Sequence, residues 1–204
     1  MSTEQVDDLP LANTGELVAE VGEYSVRQNE KYRWLQDGDG IQSIMDRQTP
    51  AKLLLPIHHA MFCAVVCLPQ AKRVLNLGCG PGSIERRLES RFKHLGCVSV
   101  DMSQQIVDLA KEYFLLAEDH QFITMRAEEF LASTTDQFDI VFVDLFERAV
   151  MARCLYDSVF YQNLHTCVLP NGIVAFNLIP KDQDDLLQVL LPLRQYFPNV
   201  WLSD

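Results

Sequence analysis

From Arg73 onward, apolar runs of strand length alternate with segments whose apolar residues recur every three or four positions. The runs are Arg73–Leu77, Cys97–Asp101, Gln121–Arg126, Phe138–Asp144 and Ile173–Ile179, with a last short one at Asn199–Leu202. Phe138–Asp144 carries the continuous apolar stretch of a central parallel strand, buried on both faces. Helical spacing follows Ser83, runs over about 104–116 behind an N-capping Ser103, makes a short turn at Glu128–Leu131, and returns over Asp157–Val168 and Asp182–Tyr196. This order predicts an α/β fold. It is a Rossmann-like, mostly parallel sheet with helices on both faces, right-handed crossovers and ligands at the C-terminal strand ends.

Upstream the period shortens to two. Leu17–Val21, Tyr24–Gln28, Tyr32–Gln36 and Ile41–Met45 read as short strands, and Asp37-Gly38-Asp39-Gly40 is a strong turn signal between the last two. The expected organisation is a flexible tail over 1–15, a small N-terminal antiparallel β unit over 16–48, and the α/β unit over 49–204. Residues 53–68 predict a mostly buried helix starting near Pro56. His58 and His59 are neighbours, fall on different sides of it and match no metal-ligand spacing, so capping or packing is expected of them.

The sharpest chemical signal joins the first two runs. Gly78-Cys79-Gly80-Pro81-Gly82 separates a strand from a helix, and the next strand ends in Asp101, 23 residues after Gly78. A glycine turn lets the backbone approach a ligand, the helix N-terminus offers N–H groups, and the acid reaches ribose hydroxyls. Counted from Gly80, the turn lacks the last glycine of GxGxxG, which would stand at Glu85. A nicotinamide dinucleotide and S-adenosylmethionine are both candidate ligands.

Composition narrows the classes. The chain has 204 residues, is 48% hydrophobic and has a mean hydropathy of −0.01, so a real core is affordable and global disorder is not the reading. No apolar run reaches the roughly 18 residues of a membrane span. Met1–Pro10 is acidic and polar, unlike a signal peptide. Cysteines 63, 67, 79, 97, 154 and 167 form no CxxC pair or zinc spacing and read as small hydrophobes. A cytoplasmic protein without a metal is expected. A net charge of −11, from 28 acids and 17 bases, disfavours nucleic acid and favours a cationic small partner.

Asp139–Asp144 followed by Leu169-Pro170-Asn171-Gly172-Ile173 resembles the fourth- and fifth-strand motifs of class I S-adenosylmethionine-dependent transferases. With Trp34–Met45, the helix end Ala60-Met61, the loop after Asp144 and Phe160-Tyr161, the chain from about Tyr24 onward resembles the spermidine synthases, especially divergent bacterial-type spermidine-synthase-like proteins. The resemblance implies an enzyme, usually a homodimer, that transfers an aminopropyl group from decarboxylated S-adenosylmethionine to putrescine. It implies cofactor contacts from Gly78, Cys79, Gly80, Gly82, Asp101, Met102 and Glu128, a catalytic Asp144 that also borders the cofactor, and substrate contacts from Gln42 and Glu147.

Three positions depart from the family pattern. Pro81 stands where orthodox members carry an acid that repels the carboxylate of ordinary S-adenosylmethionine. Arg126 stands at the adenine-binding acid, with Glu128 as its nearest substitute, and Ile57-His58-His59 replaces a Tyr-x-Glu polyamine grip. Two alternatives therefore stay open: a small-molecule methyltransferase, and a non-catalytic nucleoside-binding module. The sequence stops at Trp201-Leu202-Ser203-Asp204, so either the form is truncated or the sheet lacks its last antiparallel strand, with association expected at the uncovered edge.

Overall fold

The computed structural model describes residues 13–147 and 150–202. The flexible tail expected over 1–15 therefore lies, up to residue 12, outside the described residues. Strands Glu16–Val21 (β1), Tyr24–Gln28 (β2), Tyr32–Asp37 (β3) and Gly40–Asp46 (β4) pair antiparallel in chain order. Their alternation buries Val26, Leu35 and Met45 on one face.

Pro56–Cys67 forms α1, with proline in its first turn where the missing N–H costs nothing. The βα alternation follows: Arg73–Leu77 (β5), Ser83–Arg91 (α2), Gly96–Asp101 (β6), Gln104–Phe114 (α3), Gln121–Thr124 (β7), Ala127–Ser133 (α4) and Phe138–Val143 (β8). Phe146–Glu147 (β9) pairs with Val150–Met151 (β10), and a 3-10 turn at Arg153–Tyr156 leads to Ser158–Cys167 (α5), Val168–Phe176 (β11) and Gln183–Tyr196 (α6). The large sheet is parallel throughout, in the order β11-β8-β5-β6-β7.

Strand alternation divides the core in two. Val74, Ile140 and Phe142 pack with Met61, Phe62 and Leu88 of α1 and α2, while Leu75, Val141 and Val143 pack with Leu131, Tyr161 and Leu193 of α4–α6. Fully burying each such side chain is worth about 1.5–3 kcal/mol. The small sheet docks on α3, where Ile106, Leu109 and Phe114 join Val26, Leu35 and Met45. Arg33 adds a bond from its guanidinium to the Tyr113 carbonyl, at 2.7 Å.

Two expectations need correction at the edges. Residues 199–202 form no strand: Phe197 and Val200 turn into the α4–α6 core instead, Phe197 lying edge-on to His165, and Trp201 is exposed. The β11 pairing starts earlier than expected, at Val168, and then slips, because Pro170-Asn171-Gly172 turns between the Val168–Phe138 and Ile173–Ile140 pairs. After β7 the chain crosses back to β8 on the other side of β5. The sheet's switch point thus lies between β5 and β8, where ligands enter such folds.

Candidate active site

The ends of β5 and β8 meet because residue 78 has no side chain. Gly78 adopts φ 83°, its N–H donates to the Val100 carbonyl at 2.8 Å, and a Cβ there would run into the Asp144 carbonyl. The Asp144 N–H in turn donates to the Leu77 carbonyl at 2.9 Å. Gly80 also has a positive φ, 50°, but open space lies where its Cβ would be. Gly82 is the N-cap of α2 and brings no side chain to that helix's first N–H groups, which leaves them for a ligand.

Above the turn, between the strand ends and the small sheet, is a cleft of about 1030 Å³. Asp101 is held on its wall by main chain: Oδ2 accepts from the Gly80 N–H at 3.2 Å and Oδ1 from the Ser103 N–H at 3.0 Å. Burial raises its pKa, and those two N–H groups pull the other way. Each oxygen keeps a lone pair for a ligand hydroxyl. Ser103 caps α3 as expected, accepting from the Ile106 N–H. Met102 is exposed beside Asp101 and lines the cleft. Cys79 is buried, its thiol donates to the Gly80 carbonyl, and burial beside Glu85 and Asp101 pushes its pKa well up, so it packs the turn as a thiol.

The facing wall is built from side chains. Asp144 follows β8, and its Oδ1 accepts from Asn177 Nδ2 at 2.8 Å. Asn177 is itself set by its N–H to the Val143 carbonyl, just past β11. His58 Nε2 lies 3.7 Å from Asp144 Oδ2. Arg126 joins the two other predicted acids: its Nε donates to Glu128 at 2.6 Å and a terminal nitrogen to Glu147 at 3.1 Å. Gln42 is exposed on the same cleft, from β4. Among the described lining residues, Glu23, Asp37, Asp101, Glu128, Asp144 and Glu147 face one arginine, Arg126. The wall suits a cation.

All the predicted site residues except Gly82 line this cleft, and Gly82 adjoins it as the α2 cap. Two residues were missed. His58, expected to cap or pack, stands in the cleft beside Asp144, while His59 takes the local role by bonding the Leu53 carbonyl at 2.7 Å. Asn177 could have been found as the polar residue interrupting the apolar run Ile173–Ile179 near its C-terminal end, the position where α/β sheets present ligand groups. Glu128 and Glu147 were expected as independent contacts, and the structure ties them through Arg126.

A family model for the spermine/spermidine synthase domain matches residues 56–200. The chain is 25% identical over 140 residues to a polyamine aminopropyltransferase of Chromobacterium violaceum, covering 67% of this chain and 54% of that protein. It thus spans about half the length of that curated relative. A probable spermidine synthase from Corynebacterium glutamicum superposes with a TM-score of 0.75 at 15% identity, over 92% of this chain and 71% of that one. Human methyltransferase-like protein 13 in complex with SAH superposes at 0.64 and 18% identity, over 74% and 77%. At such identities these two structures show a shared fold.

Proposed function

The chain belongs to the spermine/spermidine synthase family, and on that premise we propose that it is a transferase using S-adenosylmethionine or its decarboxylated form, which passes an aminopropyl group to a small cationic amine such as putrescine. The observation that carries this reading is Asp144 itself: a carboxylate at the sheet's switch point, steadied by Asn177, in a cleft where, among the described lining residues, six acids face one arginine.

The residues present fit such a cofactor. Gly78, Cys79, Gly80 and Gly82 form a turn that a backbone-hugging ligand can approach, Asp101 keeps lone pairs for ribose hydroxyls, and Met102 and Glu128 border the nucleoside side. When bound, the sulfonium nucleoside supplies an electrophilic carbon and a neutral thioether leaving group. The chain's task is alignment and proton removal. Asp144 attracts the ammonium form of the amine and accepts its proton, whose free pKa is roughly 10. The N–C bond then forms as the C–S bond breaks. Asn177 fixes one Asp144 oxygen by donation, His58 borders the other, and Gln42 and Glu147 lie within the same cleft for the rest of the amine. The family resemblance adds a homodimer to this reading, and the six free cysteines a reducing cytoplasm.

One observation favours a second reading, a small-molecule methyltransferase: Pro81 lines the cofactor side of the cleft and brings no charge to exclude an ordinary S-adenosylmethionine carboxylate. Parallel calorimetric titrations with S-adenosylmethionine, its decarboxylated form and methylthioadenosine separate the two, followed by turnover with putrescine. Preference for the decarboxylated form with spermidine as product is the expected result. Preference for the intact form moves the assignment to methyl transfer, and binding of none of the three overturns both.

A further inference from the structure

A second cluster of reactive side chains lies away from the cleft, on the sheet face that α2 covers. Asn76 pairs with Ser99 across β5 and β6, and Cys97 stands two residues before Ser99, so all three point toward α2. There they meet Glu85, a fully buried carboxylate. Its Oε1 accepts from Asn76 Nδ2 at 2.7 Å and from Ser99 Oγ at 2.5 Å. His120, in the turn entering β7, places Nε2 2.9 Å from the same Ser99 Oγ. Cys97 Sγ is 3.9 Å from that oxygen. A carboxylate oxygen of Glu85, the Cys97 sulfur and a ring nitrogen of His120 all lie within 4.8 Å of one another.

Two buried acceptors of this cluster lack a donor. Glu85 Oε2 and Asn76 Oδ1 are sealed from solvent with no donor. Ser99 donates its one proton to Glu85 Oε1, so with His120 in the Nδ1–H tautomer its Nε2 has no donor. The adjacent Arg86 places its charge near Glu85 but gives it no hydrogen bond: its N–H groups go to the Pro50, Pro81 and Phe114 carbonyls and to Ser83. On the outer side, His120 Nδ1 meets Glu89 Oε1 at 3.1 Å, the carboxylate–imidazole pair that turns the other ring nitrogen into a ligand.

We propose that Glu85, Cys97 and His120, with Ser99 Oγ or a water as fourth group, form a structural site for a divalent transition metal of the zinc type. Ligand bonds of about 2.0–2.3 Å require the three atoms to draw together by roughly an ångström. Binding releases the Cys97 proton to solvent, and thiolate plus carboxylate then neutralise the two positive charges, so the buried site carries no net charge and nothing is oxidised. The metal would clamp α2, β6 and the turn before β7 to one another, and α2 starts at the glycine turn. Chain spacing hides the site, because the ligands come from three separate elements. The inference does not depend on the transferase reading.

Cobalt titration of the chelator-treated full chain tests it without cofactor or amine. One equivalent of Co²⁺ should give a thiolate-to-cobalt charge-transfer band with intense visible bands of a tetrahedral site, and Zn²⁺ should bleach both. Cys97→Ala and the near-isosteric Cys97→Ser should abolish the charge-transfer band, and Glu89→Gln should weaken binding about 10- to 100-fold. A Cys63→Ser/Cys67→Ser variant, which removes the two exposed thiols, should keep the band. Absence of the band in the wild-type chain, its survival in both Cys97 variants, or its loss in the Cys63/Cys67 variant each overturns the proposal.

Discussion

The cleft has two walls made in different ways. On the glycine-turn side, Gly78 and Asp101 are placed by main-chain hydrogen bonds that the fold itself supplies. On the other side Asp144, Glu128 and Glu147 are placed by other side chains, Asn177 and Arg126, which arrive from different strands and loops. A wall set by main chain tolerates sequence drift around it, as long as the glycines and one acid stay. A wall set by paired side chains can be re-tuned by a single substitution.

The largest expected effect comes from breaking the second wall alone. Asp144→Asn keeps the shape and the Asn177 neighbour but removes the proton acceptor, so turnover should fall at least ~100-fold while cofactor affinity stays within about twofold. Steady-state kinetics with a parallel cofactor titration reads both. If the cofactor is lost as well, the walls are not separable. An unchanged rate removes Asp144 as the base.

The next effect tests whether the first wall owes its rigidity to the close approach at Gly78. A non-glycine residue in the left-handed region costs about 1–3 kcal/mol by itself. Gly80→Ala should show that strain and little more, because its Cβ points into open space. Gly78→Ala adds a collision with the Asp144 carbonyl and should lose clearly more stability, with reduced cofactor binding in what remains folded. Urea midpoints of the two variants measure the difference. Equal losses would mean that the β5 and β8 ends can part without penalty.

The same contrast explains what could be read from the chain. Most of the strands, the helices and the glycine turn with Asp101 were legible, because strand alternation, N-cap chemistry and backbone demands at Gly78 are local properties written in consecutive residues. The neighbours of Asp144 were not. His58 reads as one of two adjacent helix histidines, and only the packing of α1 decides that it, rather than His59, faces the cleft. Arg126 reads as a lost acid, and only the fold of the segment after β8 brings Glu147 to it. The Asn199–Leu202 run fails as a strand for a related reason: Phe197 and Val200 pack on the α4–α6 core, a tertiary contact that the apolar run alone does not show.

The smallest expected effect sharpens the role of that arginine. Its ion pairs with Glu128 and Glu147 are partly exposed, so Arg126→Met should change stability by no more than about 1 kcal/mol. Its effect on ligands should be larger, because the substitution removes the one arginine among the described lining residues and frees two carboxylates. At cleft distances and partial screening this corresponds to a KM for a cationic amine lowered about threefold to tenfold, and the gain should shrink as salt is raised. A KM that rises instead would show that Arg126 holds Glu128 and Glu147 in their working positions. In that case the second wall is a preassembled grip, and its departure from the family pattern is a replacement of one contact by another. A KM that falls shows a masked wall, in which the arginine narrows the range of amines admitted.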